Sequence, residues 1–84
     1  MSKVVVYTTS YCPYCHAAKE LLTRKKIAFE EIRVDTDVKA RALMEELSRK
    51  RTVPQIFIDD KPIGGFDDLA ALNQSGVLDK LLSK

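Results

Sequence analysis

Two short apolar runs on either side of one helical segment constrain the fold more than any other feature of this chain. Residues 3–9 (KVVVYTT) form a β-branched run that suits a buried strand, and residues 28–35 (AFEEIRVD) alternate as a second strand would. Between them, apolar side chains recur at helical spacing from Pro13 to about Lys25. A strand, a helix and a strand in this order predict two parallel neighbouring strands.

A second amphipathic segment follows the second strand. Asp37 is expected to begin this helix as its N-cap, because its carboxylate can accept a free backbone N–H there. The helical spacing predicts that Val38, Met44 and Leu47 face the core, with charged side chains on the opposite face.

The last third of the chain predicts a hairpin and two helices. Two apolar runs flank residues 60–61, and each begins with a proline, Pro54 or Pro62, where a missing N–H is tolerated. A third helix begins near Asp67, and a short fourth one follows Gly76. The predicted order is β-α-β-α-β-β-α-α. We therefore expect an α/β fold with a four-stranded mixed sheet and helices on both faces.

Composition limits the function classes. The 84 residues predict one domain, residues 1–84, and the formal net charge of +2 is not concentrated as in a typical nucleic-acid binder. The apolar runs are too short to span a membrane, and the N-terminus lacks the features of a signal peptide. We therefore expect a cytoplasmic protein with no nucleic-acid or membrane partner. In that reducing compartment, the two cysteines do not suggest a permanent disulfide.

The only two cysteines, Cys12 and Cys15, lie three positions apart where the first strand leads into the first helix. A structural zinc site needs four ligands, and the chain adds only His16, which points away from Cys15 on a helix. A disulfide between positions so close closes a loop too small to add much stability, although the geometry permits the bond. A bond that forms readily and stabilises little suits reversible redox chemistry.

The helix start distinguishes the two thiols. Pro13 suits the first helical position, where its missing N–H is no loss, so Cys12 is expected near the N-cap. There the free N–H groups and the positive end of the helix dipole favour a thiolate. We expect Cys12 to be the nucleophile, and Cys15, one turn further in, to be the resolving thiol that closes the intramolecular disulfide.

Three motifs together resemble the dithiol glutaredoxins, most closely the small bacterial type. CPYC (12–15) follows the first strand, TVP lies at 52–54, and GGFDD lies at 64–68, with the spacings between them intact. The resemblance implies the thioredoxin fold, which agrees with the predicted element order. It also implies a glutathione-dependent thiol–disulfide oxidoreductase that reduces protein disulfides and protein–glutathione mixed disulfides through the Cys12/Cys15 pair.

The resemblance further implies how glutathione is bound. In the family, the bond before the TVP proline is cis, which would turn the Val53 backbone towards Cys12 for pairing with a bound peptide. The N–H groups near Phe66 and Asp67 would hold the γ-glutamyl carboxylate, and Asp68 would accept from its ammonium group. The same GGFDDL residues would equally serve as a plain turn and helix cap. The implied glutathione contacts are Tyr14, Arg41, Thr52, Val53, Pro54, Gly65, Phe66, Asp67 and Asp68.

The chain departs from the family pattern at Thr9. Many members carry a lysine three positions before the first cysteine, where it favours the thiolate and holds the glycine carboxylate of glutathione. Arg41 and the basic residues 49–51 are the cations that could replace it here.

Two other functions stay open at this point. In an iron–sulfur cluster carrier, two protomers would share a cluster through Cys12 and two glutathiones, but Pro13 stiffens the loop and argues against it. An electron donor reduced by thioredoxin reductase would have the same shape, but such proteins typically lack the GGxDD pattern. For the leading function, we expect no tightly bound cofactor and no metal, glutathione as co-substrate, and a monomeric protein. Its partners would be disulfide-containing or glutathionylated proteins, with a ribonucleotide-reductase-type disulfide as one candidate.

Overall fold

The computed structural model describes residues 3–82 and confirms the predicted order of elements. The strands are β1 (Val4–Thr8), β2 (Glu30–Arg33), β3 (Gln55–Ile58) and β4 (Lys61–Gly64), and the helices are α1 (Pro13–Arg24), α2 (Val38–Ser48), α3 (Phe66–Ser75) and α4 (Val77–Leu82). The strand order in the sheet is β2-β1-β3-β4. Strand β1 is parallel to β2 and antiparallel to β3, and β3 and β4 form an antiparallel hairpin. Within the described range, no helix has both the length and the apolar character that a membrane span requires.

Each face of the sheet carries its own apolar cluster. One cluster joins the sheet to α1, α3 and α4, and its buried members are Val4, Val6, Ala18, Leu22, Ile56, Ile58, Leu69 and Leu78. The other joins the sheet to α2 and is formed by Tyr7, Val34, Met44 and Phe57. Because strand side chains alternate between the faces, β1 and β3 contribute to both clusters. Helices therefore cover both faces of a mixed sheet, as the sequence predicted.

Helix α2 buries less of its surface than the sequence suggested. Met44 is fully buried, but Val38 is 83% exposed and Leu47 is 49% exposed, so the prediction that these two residues face the core is wrong. The cause is helical geometry, since Val38 lies about 120° around the helix axis from Met44 and Leu47 about 60°. The stripe that packs on the sheet is centred on Met44 and Ala40.

The hairpin turn lies one residue earlier than predicted. Its two central residues are Asp59 and Asp60, with φ angles of 51° and 68°. Positive φ at both positions is the backbone of the tight turns that match the twist of paired strands. Lys61 consequently begins β4, and Pro62 is the second residue of that edge strand rather than its first. Helix α3 likewise begins at Phe66, with Gly65 rather than an aspartate as its N-cap.

Candidate functional site

The N-cap of helix α1 is a cysteine sulfur. Cys12 has extended backbone angles, and its Sγ accepts the backbone N–H of Cys15 at 3.2 Å. Pro13 occupies the first helical position, as predicted. A serine or aspartate oxygen usually fills the capping role, so here a potentially reactive atom receives the helix N–H. Both cysteines are free thiols.

Cys15 lies one turn further along α1 and is only 1% exposed. Burial, and then the hydrogen bond with Cys12, hold the pKa of the Cys15 thiol well above its ordinary value. A backbone hydrogen bond from Thr9 and the positive charge of Lys19 lower the pKa of the same thiol and so oppose this shift. The two thiols therefore have different surroundings: one caps the helix, and the other is buried one turn further in.

The loop before β3 brings a backbone carbonyl to Cys12. The Val53–Pro54 peptide bond is cis, as expected. The Val53 carbonyl oxygen lies 3.5 Å from Cys12 Sγ and accepts its thiol hydrogen. Gln55, which is buried, holds this loop by donating from Nε2 to the carbonyl oxygen and to Oγ1 of Thr52, at 2.9 and 3.1 Å.

The double glycine shapes the start of helix α3. Asp68 Oδ2 accepts the backbone N–H of the N-cap residue Gly65 at 3.0 Å, so this carboxylate closes the first turn. Gly64 has a φ of 119°, and a Cβ at this position would overlap the Asp68 carboxylate. A side chain at 64 is therefore disfavoured both by the backbone conformation and by the position of the capping carboxylate.

We expect Gly64→Ala to lower the free energy of unfolding by about 1–3 kcal/mol, since it adds an unfavourable backbone conformation to the overlap with Asp68. Gly76→Ala is the matched control, because Gly76 also has a positive φ, 83°, but has no atom within 4 Å of an added Cβ. Gly76→Ala should lower the free energy of unfolding by about 1 kcal/mol. Urea unfolding measures both, and equal losses would show that the overlap contributes nothing.

The start of α1, the loop before β3 and the start of α3 enclose a cavity of about 260 Å³. The residues that line it are Tyr14, Lys50, Thr52, Val53, Pro54, Gln55, Gly65, Phe66, Asp67 and Asp68. On one side, the Tyr14 and Phe66 rings stack with their centroids 6.2 Å apart and an interplanar angle of 28°. Lys50 supplies a positive charge to the lining, and the first turn of α3 supplies two carboxylates. The cavity lining therefore offers charges of both signs to a ligand.

The structure brings together all but one of the residues predicted to contact glutathione. Arg41 does not line the cavity, because its guanidinium binds Glu45 and the carbonyl oxygen of Arg51, both at 3.2 Å. Two lining residues, Lys50 and Gln55, were not singled out individually from the sequence, although Lys50 belongs to the basic group at 49–51. The position of Lys50 two residues before the TVP motif was the signal that could have identified it.

Thr9, the position of the missing lysine, is buried and only 4% exposed. Its Oγ1 has no hydrogen-bond partner within residues 3–82. A lysine at this position would have to extend past its neighbours to bring its charge into water. In that same part of the chain, no group of three or more His, Cys, Asp or Glu side chains is placed to hold a metal ion.

The fold and the site define a thioredoxin-fold protein with a dithiol at the start of its first helix, and comparisons with known proteins identify the class. The family model for glutaredoxin matches residues 4–63. Glutaredoxin 3 of Escherichia coli (strain K12) is 50% identical over 82 residues, which are 98% of this chain and 99% of that protein. The glutaredoxin of Pseudomonas aeruginosa is 49% identical over 83 residues, 99% of each chain.

Solved structures agree with this identification. The buckwheat glutaredoxin–glutathione complex matches with a TM-score of 0.89 and 29% identity, covering 98% of this chain and 77% of that one. The solution structure of the Brucella melitensis glutaredoxin matches with a TM-score of 0.83 and 49% identity, covering 95% and 87%. The chain therefore belongs to the glutaredoxin family. It has the thioredoxin fold and is a thiol–disulfide oxidoreductase.

Proposed function

We propose that this protein uses glutathione to reduce both protein disulfides and protein–glutathione mixed disulfides, with Cys12 as nucleophile and Cys15 as resolving thiol. The observation that carries the proposal is the position of Cys12 Sγ, which caps α1 and contacts the carbonyl of Val53, a residue of the cavity lining. The nucleophile is thus adjacent to a cavity with charges of both signs. A cytoplasmic, monomeric protein without a tightly bound cofactor is part of the same proposal.

The proposed reaction consists of thiol–disulfide exchanges. The Cys12 thiolate attacks one sulfur of the substrate disulfide, forms a mixed disulfide and releases the other sulfur as a thiolate, which takes up a proton. Where the mixed disulfide is with a protein, Cys15 displaces that protein and leaves a Cys12–Cys15 disulfide. Two glutathione molecules then restore the dithiol and leave as glutathione disulfide, so two electrons pass from glutathione to the substrate.

Glutathione would lie along the cavity with its two ends at opposite charges. We assign its γ-glutamyl carboxylate to the backbone N–H groups at Phe66 and Asp67, where the helix dipole favours an anion. Its ammonium group would contact the Asp68 carboxylate, which has one oxygen bound to Gly65 and a second oxygen to offer. Its cysteinyl backbone would pair with Val53, as an added strand does. Thr52, Pro54 and the stacked rings of Tyr14 and Phe66 would form the walls.

The glycine carboxylate of glutathione would then be held by Lys50 rather than by Arg41. Lys50 lines the cavity and forms no ion pair within residues 3–82, whereas Arg41 is already bound to Glu45. The proposal therefore transfers this role from the residue implied by the family resemblance to one on the loop before TVP.

Lys50→Gln should raise the KM for glutathione about two- to five-fold, the expected effect of one partly exposed ion pair. Arg41→Gln should change it less. Because exposed charges are screened by salt, the effect of Lys50→Gln should shrink as ionic strength rises. Steady-state kinetics over a salt series measures both variants. A larger effect at Arg41 would return the assignment to that residue.

The reductant decides between the proposed function and its alternatives. Reduced glutathione with glutathione reductase should sustain turnover on a glutathionylated peptide, and thioredoxin reductase should not. Turnover with thioredoxin reductase alone would contradict the proposal. Anaerobic purification should yield a colourless protein, and a brown chromophore would indicate a bound iron–sulfur cluster instead.

A further inference from the structure

The resolving step requires a Cys15 thiolate, but the buried surroundings of Cys15 disfavour a thiolate. To attack the mixed disulfide, Cys15 must lose its proton and act as a thiolate. Yet Cys15 is buried, and burial is the largest cause that raises the pKa of its thiol. A nearby positive charge is the simplest means of favouring the thiolate without exposing it to water.

Lys19 supplies such a charge from the same helix. It follows Cys15 by four positions in α1, and residues with this spacing are neighbours on one helix face. Its Nζ lies 2.9 Å from Glu31 Oε2, and the side chains are 26% and 32% exposed. The ammonium group is therefore held in one place near the helix rather than free in solvent.

Glu31 is itself fixed from the sheet. It pairs with Val6 of β1, whose side chain lies in the cluster beneath α1, so Glu31 is on the α1 side of the sheet. The hydroxyl of Thr8, a fully buried residue, donates to Glu31 Oε2 at 2.6 Å. The bonds from Thr8 and then from Lys19 lower the pKa of Glu31, so this carboxylate is ionised at neutral pH.

We propose that Lys19 and Glu31 together set the rate of the resolving step: the Lys19 ammonium stabilises the Cys15 thiolate, and Glu31 both holds and partly offsets that charge. Lys19 acts through Cys15 and is thus a positioning residue. The inference rests on the proposed function, because it concerns the step in which Cys15 displaces the reduced partner.

The chemistry of that step is balanced. Cys15 gives up its proton, its sulfur forms a bond to the Cys12 sulfur, and the bond between Cys12 and the partner breaks. The partner leaves as a thiolate and takes up one proton, so no other oxidant or reductant is needed.

The groups that act on Cys15 are the Cys12 sulfur, the Thr9 backbone N–H and the Lys19 charge. Arg33 lies close enough to act on Glu31.

Two charge-removing variants should have opposite effects. Lys19→Gln removes the positive charge and leaves Glu31 unopposed, so Cys15 should close the disulfide about two- to three-fold more slowly. Glu31→Gln removes the offsetting charge, retains an acceptor for Thr8, and should accelerate closure by a similar factor. The pH profile of closure should move to higher pH in the first variant and to lower pH in the second.

The measurement is the closure rate of the full chain carrying glutathione on Cys12, followed by acid quench and mass spectrometry across a pH series. Lys61→Gln, which removes a positive charge from the distant β3–β4 hairpin, is the control and should not change the rate. A purely structural role predicts the same direction for both variants, since both break the same ion pair. Equal directions, no change, or the reverse order would overturn the inference.

A separate readout keeps this test independent of the proposed function. The attack of Cys12 on a glutathionylated peptide does not require the Cys15 thiolate, so both variants should perform it at the wild-type rate. If the wild-type protein fails to deglutathionylate the peptide, the proposed function is wrong. If it succeeds while the two closure rates do not diverge, only the role of Lys19 and Glu31 is wrong.

Discussion

Cys12→Ser is expected to reduce activity on every disulfide substrate to background, whereas Cys15→Ser should abolish only the reduction of protein disulfides. The serine hydroxyl at position 12 cannot perform thiol–disulfide exchange, so no covalent intermediate forms. With Cys15→Ser, Cys12 still removes glutathione from a mixed disulfide, and a second glutathione resolves the product. A mixed disulfide with a protein is resolved only slowly, because the Cys15 thiol is missing.

The assay pairs a glutathionylated peptide with a protein disulfide under the same glutathione system. Comparing the two single variants is the control for damage to the fold, because both replace one buried sulfur by oxygen in the same helix turn. Alkylation at mildly acidic pH adds a direct check of the assignment. Labelling of Cys15 before Cys12 would reverse the roles, and full activity of Cys15→Ser on protein disulfides would remove the need for a resolving thiol.

Asp68→Asn should raise the KM for glutathione about ten-fold, because it removes the charge that would bind the ammonium group. Charge-assisted hydrogen bonds contribute about 1.5–3 kcal/mol, and about 1.4 kcal/mol corresponds to one decade of affinity. The structure makes asparagine the better test than alanine. An amide oxygen can still accept the Gly65 N–H, whereas Asp68→Ala would also remove the cap of α3, at a cost of about 0.5–2 kcal/mol of stability.

Both variants belong in the experiment, with thermal unfolding beside the kinetics. Asp68→Asn should bind glutathione weakly and lose at most about 1 kcal/mol of stability, the contribution of one negative charge near a helix N-terminus, whereas Asp68→Ala should also lose the cap and so be less stable. Glu46→Gln, which removes one negative charge from the exposed face of α2, should leave the KM unchanged. A wild-type KM for Asp68→Asn would indicate that the GGFDDL segment serves only as a turn and a helix cap.

The sequence predicted those features that depend on neighbouring residues. Alternation, helical spacing and proline positions were sufficient for the element order, and the place of Pro13 was sufficient to put Cys12 at the helix start. The orientation of α2 was predicted wrongly, because Val38 and Leu47 are apolar whether or not the sheet lies beneath them. Only the crossing of the helix over the sheet decides that Met44 is the residue buried at the centre.

The candidate site likewise combines features that the sequence predicts with features that only the tertiary structure decides. The family resemblance implied most of the cavity lining, but it did not separate Lys50 from its basic neighbours or show that Arg41 is already bound to Glu45. Thr9 belongs to the run that predicted a buried strand and is indeed buried, but the sequence could not show that its hydroxyl has no hydrogen-bond partner among residues 3–82. These properties depend on how the loop before β3 lies against α1 and α3, which no local pattern contains.

The Cys12 sulfur is the N-cap of α1, and we expect this to couple the redox state of the protein to its conformational stability. In the dithiol form, this sulfur accepts an N–H that the helix would otherwise leave unsatisfied. A disulfide sulfur is a poorer hydrogen-bond acceptor than the Cys12 thiolate of the proposed mechanism, so we expect disulfide formation to weaken this hydrogen bond at the start of α1. By thermodynamic linkage, whatever the helix start adds to the stability of the reduced form makes the oxidised form a stronger oxidant. With Cys12 as the proposed nucleophile, we therefore expect the first turn of α1 to influence the reduction potential as well as to stabilise the Cys12 thiolate.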